Sequence, residues 1–251
     1  MSQNKDVLWT GKPSPESFIG AYFLYTSPFM GQIIAYVLWL AIPAQWREYM
    51  QFLSYPSHVI TRLSYPASLI YLLGFFLAVI FCLINWLVRV DFKPLLYTLL
   101  SYFTIEILRA YTALTDYRGA LLALLAFSTF GVLLVELYRR SFTYIVKTDS
   151  IVIRGGFVTK WERFVRKNFV SDVIVVRPIL GYIFGYAHVI PVTQSQIGLG
   201  DTFSLGALTV GAKKSGVIVG GGKSVVSVEP RPWNCIFGVR NLSQVKKAVL
   251  E

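Results

Sequence analysis

The chain has 251 residues, of which 55% are hydrophobic and 15% are charged. Soluble domains carry about 25% charged residues, so this composition argues against an ordinary soluble protein. Twenty-four Lys and Arg residues outnumber thirteen Asp and Glu, which gives a formal net charge of +11. The two histidines and two cysteines form no cluster, so the sequence gives no support for a structural zinc site.

Three long apolar segments lie within the first 140 residues. Residues 18–43 contain no charged side chain, although Pro28 interrupts them, and residues 66–88 and 119–137 are more strongly apolar. About 20 apolar residues in a helix are enough to cross the hydrocarbon core of a bilayer. The three segments therefore predict transmembrane helices.

Residues 94–114 are a fourth candidate span, although this segment is more polar and contains Glu106. Its Tyr, Thr and Ser side chains favour contact with other helices over contact with lipid. If all four segments span, six basic residues flank them on the side of the termini and four on the opposite side, namely Lys5, Lys12, Arg89, Lys93, Arg139 and Arg140 against Arg47, Arg62, Arg109 and Arg118. The positive-inside rule then predicts a multi-pass plasma-membrane protein with both termini in the cytoplasm.

The remaining residues, 141–251, change to short runs of alternating polar and apolar residues that are typical of β-strands. The runs are Phe142–Lys147, Ser150–Arg154, Phe157–Val165, Phe169–Val176, Val189–Thr193, Ser204–Val210, Gly216–Val219 and Ser224–Glu229. Residues 242–250 form an amphipathic helical pattern after a candidate N-cap, Asn241. We expect a transmembrane domain at residues 1–140, and at 141–251 a cytoplasmic β-sandwich or barrel capped by a C-terminal helix.

Four sequence motifs support a family resemblance. They are LWTGKPS from Leu8, RRSFTYIVKTDSIVIRGG from Arg139, VSDVIVVRPILGYIFGYAHVIPVT from Val170 and IFGVRNLSQVKKAVL from Ile236. In their order and spacing the chain resembles membrane-bound bacterial pleckstrin-homology-like proteins, which are also found in archaea. The sequence departs from that pattern at Asn241-Leu242, where the family has Asn-Pro, and in the Gly-rich residues 194–223, which do not align.

The resemblance implies a bent β-sandwich closed by a C-terminal helix and a role as a membrane-anchored interaction module. It implies no catalytic residues. The sequence contains no nucleophile elbow, and Gly220–Ser224 lacks the spacing of a phosphate-binding loop. We therefore expect neither an enzyme nor a bound cofactor.

A basic segment with interleaved aromatic residues is the main candidate for a binding surface. It contains Lys160, Trp161, Arg163, Arg166 and Lys167, and the later residues Lys213, Lys214 and Lys223 could approach the same face. Such a surface suits anionic lipid or an acidic partner protein. The alternative is a solvated strand beside a membrane, where basic residues are expected in any case. No nucleic-acid motif accompanies the charge.

A second candidate surface is apolar and follows Pro178, which can begin a short helix. Its residues are Ile179, Leu180, Tyr182, Ile183 and Phe184. They would pack against the spans, the bilayer or the domain's own core. If they were exposed, they would mark an interaction site.

Glu106 is an acidic residue within a candidate span, which by default suggests a functional site. Arg109, one helical turn away, offers a structural ion pair instead, and the sequence favours this pairing. The predicted function is thus a non-catalytic membrane protein that presents its β-rich domain to lipids, to other membrane proteins or to a second copy. The alternatives are an accessory subunit of a larger membrane complex and a transporter or membrane enzyme that uses Glu106.

Overall fold

The structure is a computed structural model that describes residues 6–50, 61, 63, 65–89, 91–111, 116–193, 200–202, 207–210, 217–220, 225–227 and 230–250. For residues 88–89 and for the strands between residues 200 and 227 it describes the backbone alone. The chain divides into two compact units. Gly20–Val135 form a helical unit, and Met1–Ile19 together with Glu136–Glu251 form a β unit.

Four long helices dominate the helical unit and continue to its borders. They are α1 (Ile19–Ala41), which follows a 3-10 turn at Pro15–Phe18, α2 (Ala67–Arg89), α3 (Lys93–Tyr111) and α4 (Tyr117–Arg140). Among the described residues, three helices are long and apolar enough to cross a membrane, namely Pro15–Ala41, Ala67–Leu87 and Tyr117–Arg140. This finding is consistent with a membrane protein. The fourth predicted span forms α3, a helix of 19 residues that is not among these three.

Polar side chains of the helical unit point inward. Gln32 is buried, and its Nε2 donates to the carbonyl oxygen of Tyr71 over 3.0 Å and to the hydroxyl oxygen of Tyr102 over 2.8 Å. The Tyr102 hydroxyl donates in turn to the carbonyl of Pro28 over 3.0 Å. Large apolar side chains such as Leu122 lie on the outside. Polar interiors of this kind hold helices together where lipid supplies no hydrophobic driving force between them.

The β unit contains a four-stranded and a three-stranded antiparallel sheet. In the first sheet the order is β1 (Val7–Gly11), β2 (Thr143–Lys147), β3 (Ser150–Gly155) and β4 (Trp161–Arg166). In the second sheet, β6 (Ala187–Thr193) lies between β5 (Val170–Val176) and β11 (Ile236–Val239). Together they give seven antiparallel strands.

Two helices complete the β unit. The short helix α5 (Ile179–Phe184) connects β5 to β6, as Pro178 predicts, and α6 (Leu242–Leu250) matches the predicted C-terminal helix. Helix α6 packs against β1, β2 and β6. The core that it covers is apolar and includes Phe142, Tyr144, Val146, Ile151, Ile153, Val189, Ile236 and Val245.

The Gly-rich part of the chain contributes two further pairs of strands. Strand β7 (Gly200–Thr202) pairs with β10 (Val225–Ser227), and β8 (Ala207–Val210) pairs with β9 (Val217–Gly220). Thr202 faces Val225 in the first pair. Ala207, five residues later, faces Gly220, five residues earlier, in the second pair. The two pairs therefore share one antiparallel register.

The N-terminal strand β1 differs from the predicted organisation. A division at residue 140 leaves Val7–Gly11 with the spans, whereas the structure pairs this segment with β2, Thr10 lying opposite Ile145. Trp9 packs against the apolar core of the β unit. Burial of this ring and the backbone hydrogen bonds to β2 explain why the segment belongs to the β unit.

Candidate functional site

The β2–β3 hairpin defines two ends of the β unit. We call the end where β2 begins and β3 ends the junction end, and the end where the hairpin turns the far end. At the junction end, Phe18 precedes α1 and Phe142 follows α4, and both rings contact Tyr138. At the far end, β2 and β3 are joined through Thr148 and Asp149. Because an extended strand rises about 3.3 Å per residue, the two ends are roughly 17 Å apart.

Strand β4 begins at the junction end with the first half of the predicted basic segment. Trp161 pairs with Gly155, which lies close to the ring of Phe142. Lys160 precedes Trp161 and is exposed, and Arg163 follows it on the same strand. The structure therefore brings Lys160, Trp161 and Arg163 together.

The second half of the basic segment lies at the far end of β4. Arg166 pairs with Ser150, directly after the Thr148–Asp149 turn. The Lys167 side chain donates from Nζ to the carbonyl of Ala248 in α6 over 2.6 Å, so this ammonium group supports the helix that covers the core. The predicted residues Lys213, Lys214 and Lys223 lie outside the described residues.

An open groove lies at the junction end. It has a volume of about 490 Å³ and is lined by Tyr138, Phe142, Gly156, Trp161, Glu162, Arg163 and Trp233. Four of these seven residues are aromatic, and Tyr138 belongs to the last turn of α4. The groove therefore joins the β3–β4 hairpin to the end of the last candidate span.

Two adjacent glycines shape the rim of the groove. Gly156 has a φ of +110°, and a Cβ atom there would lie 1.8 Å from the carbonyl oxygen of Thr159. A Cβ atom at Gly155 would lie 2.6 Å from the ring of Phe142. Only glycine allows the turn to close so tightly over the ring, so the Gly155-Gly156 pair fixes the position of Trp161.

Two arginines and one acidic residue lie at or beside the groove. Glu162 is the acidic lining residue, and its carboxylate forms an ion pair of 3.0 Å with Arg154. Arg163 Nη1 donates to the carbonyl of Trp233 over 3.3 Å, and the guanidinium of Arg231 lies 5.3 Å from the centre of the Trp233 ring. Cations held against aromatic rings at an open surface can attract an anion without a buried ion pair.

A row of ring contacts runs from the groove along the junction end to the start of β6. The successive centroid distances are 6.1 Å for Trp161–Phe142, 5.0 Å for Phe142–Tyr138, 6.3 Å for Tyr138–Phe18, 5.4 Å for Phe18–Phe237, 4.1 Å for Phe237–His188 and 5.6 Å for His188–Tyr186. The row passes Phe18, one residue before α1. Tyr186, at its other end, directly follows the cap of α5.

The predicted apolar segment forms α5 and is exposed. Ile179, Tyr182 and Ile183 retain 82%, 73% and 68% of their accessible surface, and Leu180 and Phe184 are also exposed. Gly181 is the buried residue of the helix. The segment therefore does not pack into the core of the β unit.

The buried titratable groups of the β unit have structural roles. Burial lowers the pKa of His188 to about 4, and its Nδ1 accepts a hydrogen bond of 3.0 Å from the backbone N–H of Gly238. Burial raises the pKa of the Cys235 thiol, whose Sγ donates to the carbonyl of Arg231 over 3.1 Å. Within the described part of the chain, no three His, Cys, Asp or Glu side chains form a group that could hold a metal ion.

Glu106 and Arg109 form the ion pair that their spacing predicts. Arg109 Nη1 lies 2.9 Å from Glu106 Oε1, and the arginine side chain is almost completely buried. Its Nη2 donates to the carbonyl of Thr61, and its guanidinium lies 5.7 Å from the centre of the Tyr71 ring. Arg109 therefore holds several parts of the helical unit together.

Several lining residues are not apparent from the local sequence pattern. Trp233 lies seventy-two residues after Trp161, and Tyr138 precedes the predicted β-rich domain. The one local signal for Trp233 is its setting in Pro230–Asn234, a proline-containing turn that keeps a large aromatic residue at the surface. Comparisons of the chain with protein-family models, with curated proteins and with solved structures found no match.

Proposed function

We propose that the chain is a non-catalytic, multi-pass membrane protein that presents a pleckstrin-homology-like domain at the cytoplasmic face of the plasma membrane. The domain's function would be to bind an anionic ligand, such as a lipid headgroup, at the junction-end groove. The observation that carries this proposal is the position of Trp161, Arg163 and Trp233 around a groove that includes the last turn of α4.

A fourth span is supported by the way in which α3 distributes its side chains. Thr98, Ser101 and Tyr102 are buried inside the helical unit, whereas Leu100 and Phe103 are exposed on its outside. The hydroxyl side chains that lower the mean hydropathy of the middle of α3 would thus not face lipid. Nineteen helical residues extend about 28 Å, close to the thickness of the hydrocarbon core.

The same distribution weakens the case for an accessory subunit. That alternative depends on polar residues of the third segment that seek partners in other proteins. Within the helical unit, Thr98 Oγ1 already lies 3.1 Å from Ser27 Oγ, and Tyr102 bonds to Gln32 and Pro28. The ion pair of Glu106 with Arg109 likewise gives less support to a transporter or a membrane enzyme.

A pleckstrin-homology-like fold is supported by the arrangement of sheets in the β unit. A four-stranded and a three-stranded antiparallel sheet share one core, and α6 at the C-terminus packs on it. This agrees with the bent sandwich and closing helix that the resemblance implies. In this chain the first strand comes from the N-terminus and is separated from β2 by all four long helices.

Two charge-neutralising substitutions on β4 test the groove. Arg163→Gln removes a cation that lines the groove, and Arg166→Gln removes the same charge three residues later, at the far end. The full-length protein in mild detergent is titrated with a short-chain anionic phospholipid, and binding is followed by tryptophan fluorescence. We expect Arg163→Gln to weaken binding by roughly tenfold, because a cation that contacts a ligand anion contributes about 1 kcal/mol or more.

Arg166→Gln should leave the affinity within about twofold of the original, because an exposed charge one Debye length or more from the groove is largely screened. Equal loss of affinity in the two variants would indicate general attraction to the basic surface and would contradict a site in the groove. Tight binding of a zwitterionic lipid by the unchanged protein would contradict the preference for anions.

A further inference from the structure

Helix α5 exposes more apolar surface than a short connector in water can easily tolerate. It has no charged residue, and Ile179, Tyr182 and Ile183 are its most exposed side chains. Removal of such apolar surface from water is favourable, so leaving it exposed to water is costly. A contiguous apolar patch of this kind marks a surface that another phase or molecule covers.

The backbone holds this patch in one conformation. The N–H of Tyr182 donates to the carbonyl of Pro178 over 3.1 Å, and the N–H of Tyr186 donates to the carbonyl of Gly181 over 3.1 Å. Gly185 caps the helix with a left-handed φ of +72°. A Cβ atom at Gly181 would lie 2.5 Å from the carbonyl oxygen of Tyr186, so the glycine side of the turn faces the protein and cannot carry a side chain.

The location of α5 indicates what covers the patch. Helix α5 packs against the 3-10 turn Pro15–Phe18. That turn runs directly into α1, and both belong to the first segment that is long and apolar enough to cross a membrane. The exposed side chains therefore lie beside the residues at which the chain would enter the bilayer.

The residues around α5 have the composition of a membrane–water interface. Tyr182 and Phe184 of α5 are exposed aromatic residues, whereas the rings of Phe18 and Tyr186 beside the helix are buried. Arg177, two residues before α5, is exposed. Aromatic residues and cations are enriched at this depth of a membrane, and apolar faces of short helices insert there in the plane of the bilayer.

We infer that α5 is an in-plane membrane anchor, with Ile179, Tyr182 and Ile183 inserted into the lipid between the headgroups and the acyl chains. Its ligand is the bilayer that holds α1, and not a separate protein, because α5 packs against the turn that leads into that span and offers no charged group for a partner. The inference rests on the proposal that α1 crosses the membrane, and it does not depend on ligand binding in the groove.

The test places a fluorescent probe on α5 of the full-length protein in liposomes. Tyr182→Cys is labelled with an environment-sensitive dye, and Ile34→Cys on the outer face of α1 and Thr148→Cys at the far end of the β unit are the matched controls. Cys82 and Cys235 are buried, and the unsubstituted protein measures their background labelling. Quenching is measured with aqueous iodide and with lipids that carry a nitroxide near the headgroup or deep in the acyl chain.

We expect the probe at position 182 to be quenched most by the shallow nitroxide and to be protected from iodide. The probe at 34 should respond to the deep nitroxide, and the probe at 148 should respond to iodide alone. If the probe at 182 behaves like that at 148 while 34 is lipid-quenched, the anchor is wrong but the span stands. If it is shielded from iodide but not lipid-quenched, a protein covers α5, which also overturns the inference. If 34 itself is not lipid-quenched, the proposed span fails, and the inference fails with it.

Discussion

In the helical unit the buried side chains include Gln32, Thr98 and Ser101, whereas the β unit buries Phe142, Val146 and Ile151. The outer surfaces show the reverse, with Leu122 and Phe103 exposed on the helices and Lys160 and Arg166 exposed on the sheet. Burial of apolar side chains drives folding only where the surrounding solvent is water. If the helical unit lies in lipid as proposed, the two units depend on different interactions, and substitutions in each test this difference.

The chain passes between the helical unit and the β unit at the junction end of the β unit. There the last turn of α4 supplies Tyr138 to a groove that is also lined by strand β4, by Gly156 and by two further aromatic residues, Phe142 and Trp233. Arg139 also bonds to Glu136 over 2.6 Å and to the carbonyl of Pro13 over 2.6 Å. Polar and aromatic groups thus meet where the chain would pass from lipid to water.

The largest expected effect is the loss of an aromatic ring from the core of the β unit. Phe142 is only 1% exposed and contacts Tyr138 and Trp161. Phe142→Ala should destabilise the β unit by about 3–5 kcal/mol, because it removes apolar burial and leaves a cavity. Hydrogen–deuterium exchange of β2 and β3 in the full-length protein measures the free energy of opening.

Phe164→Ala is the control for this change, since Phe164 on β4 is 62% exposed. Its effect should be within about 0.5 kcal/mol, as for other surface substitutions. Equal destabilisation by the two substitutions would show that the exposed face of β4 is covered in the folded protein. The comparison between an apolar interior and a polar exterior would then not hold for that sheet.

A smaller effect is expected from acid, which acts on the one buried histidine described in the β unit. The neutral His188 ring accepts the N–H of Gly238 and lies between the rings of Tyr186 and Phe237. Burial lowers the pKa of His188 from 6.5 to about 4, so the unfolded chain binds this proton more readily than the folded one. The stability contribution is complete above about pH 6.5 and is lost as the pH falls towards about 4.

Between about pH 7.5 and about pH 4.5 this residue should reduce the free energy of unfolding by roughly 2–3 kcal/mol. Urea unfolding of the full-length protein, followed by the β-sheet signal, measures the change at each pH. His188→Leu should be less stable at neutral pH, because Gly238 loses its acceptor, but should show a flatter acid dependence. An unchanged pH slope in that variant would assign the acid sensitivity to carboxylates instead.

Local sequence patterns predict the elements whose contacts are local. The apolar runs at 66–88 and 119–137 correspond to α2 and α4, and the alternating run at Ser150–Arg154 corresponds to β3. Strand β1 could not be predicted from local patterns because its partner β2 lies more than 130 residues later in the chain. Strand β11 could not be predicted in this way because it has only four residues, one of which is Gly238 with a φ of +63°.

The groove could be predicted only in part for the same reason. Trp161 and Arg163 are neighbours in the sequence and remain neighbours on β4, whereas Trp233 reaches them only through the tertiary fold. Extended structure separates Arg166 from Lys160, because a strand carries each successive residue about 3.3 Å further along. Among the described residues, the basic segment 160–167 is therefore divided between the two ends of β4.

The smallest expected effect lies in the polar interior of the helical unit. Gln32→Leu preserves the approximate volume of the side chain but removes its hydrogen bonds to Tyr71 and Tyr102. We expect a loss of about 1–2 kcal/mol, because single hydrogen bonds between membrane helices are worth roughly that much or less and Tyr102 keeps its bond to Pro28. Denaturation of the full-length protein in mixed micelles with SDS, followed by the helical signal, measures the loss.

Ser128→Ala supplies the control within the same unit. Ser128 is buried in α4, and its hydroxyl has no hydrogen-bond partner among the described residues, so its removal should change the stability by less than about 0.5 kcal/mol. If Gln32→Leu proved neutral or stabilising, apolar packing would suffice to join α1, α2 and α3. The contrast between a hydrogen-bonded helical interior and an apolar sheet interior would then describe composition alone and not the source of stability.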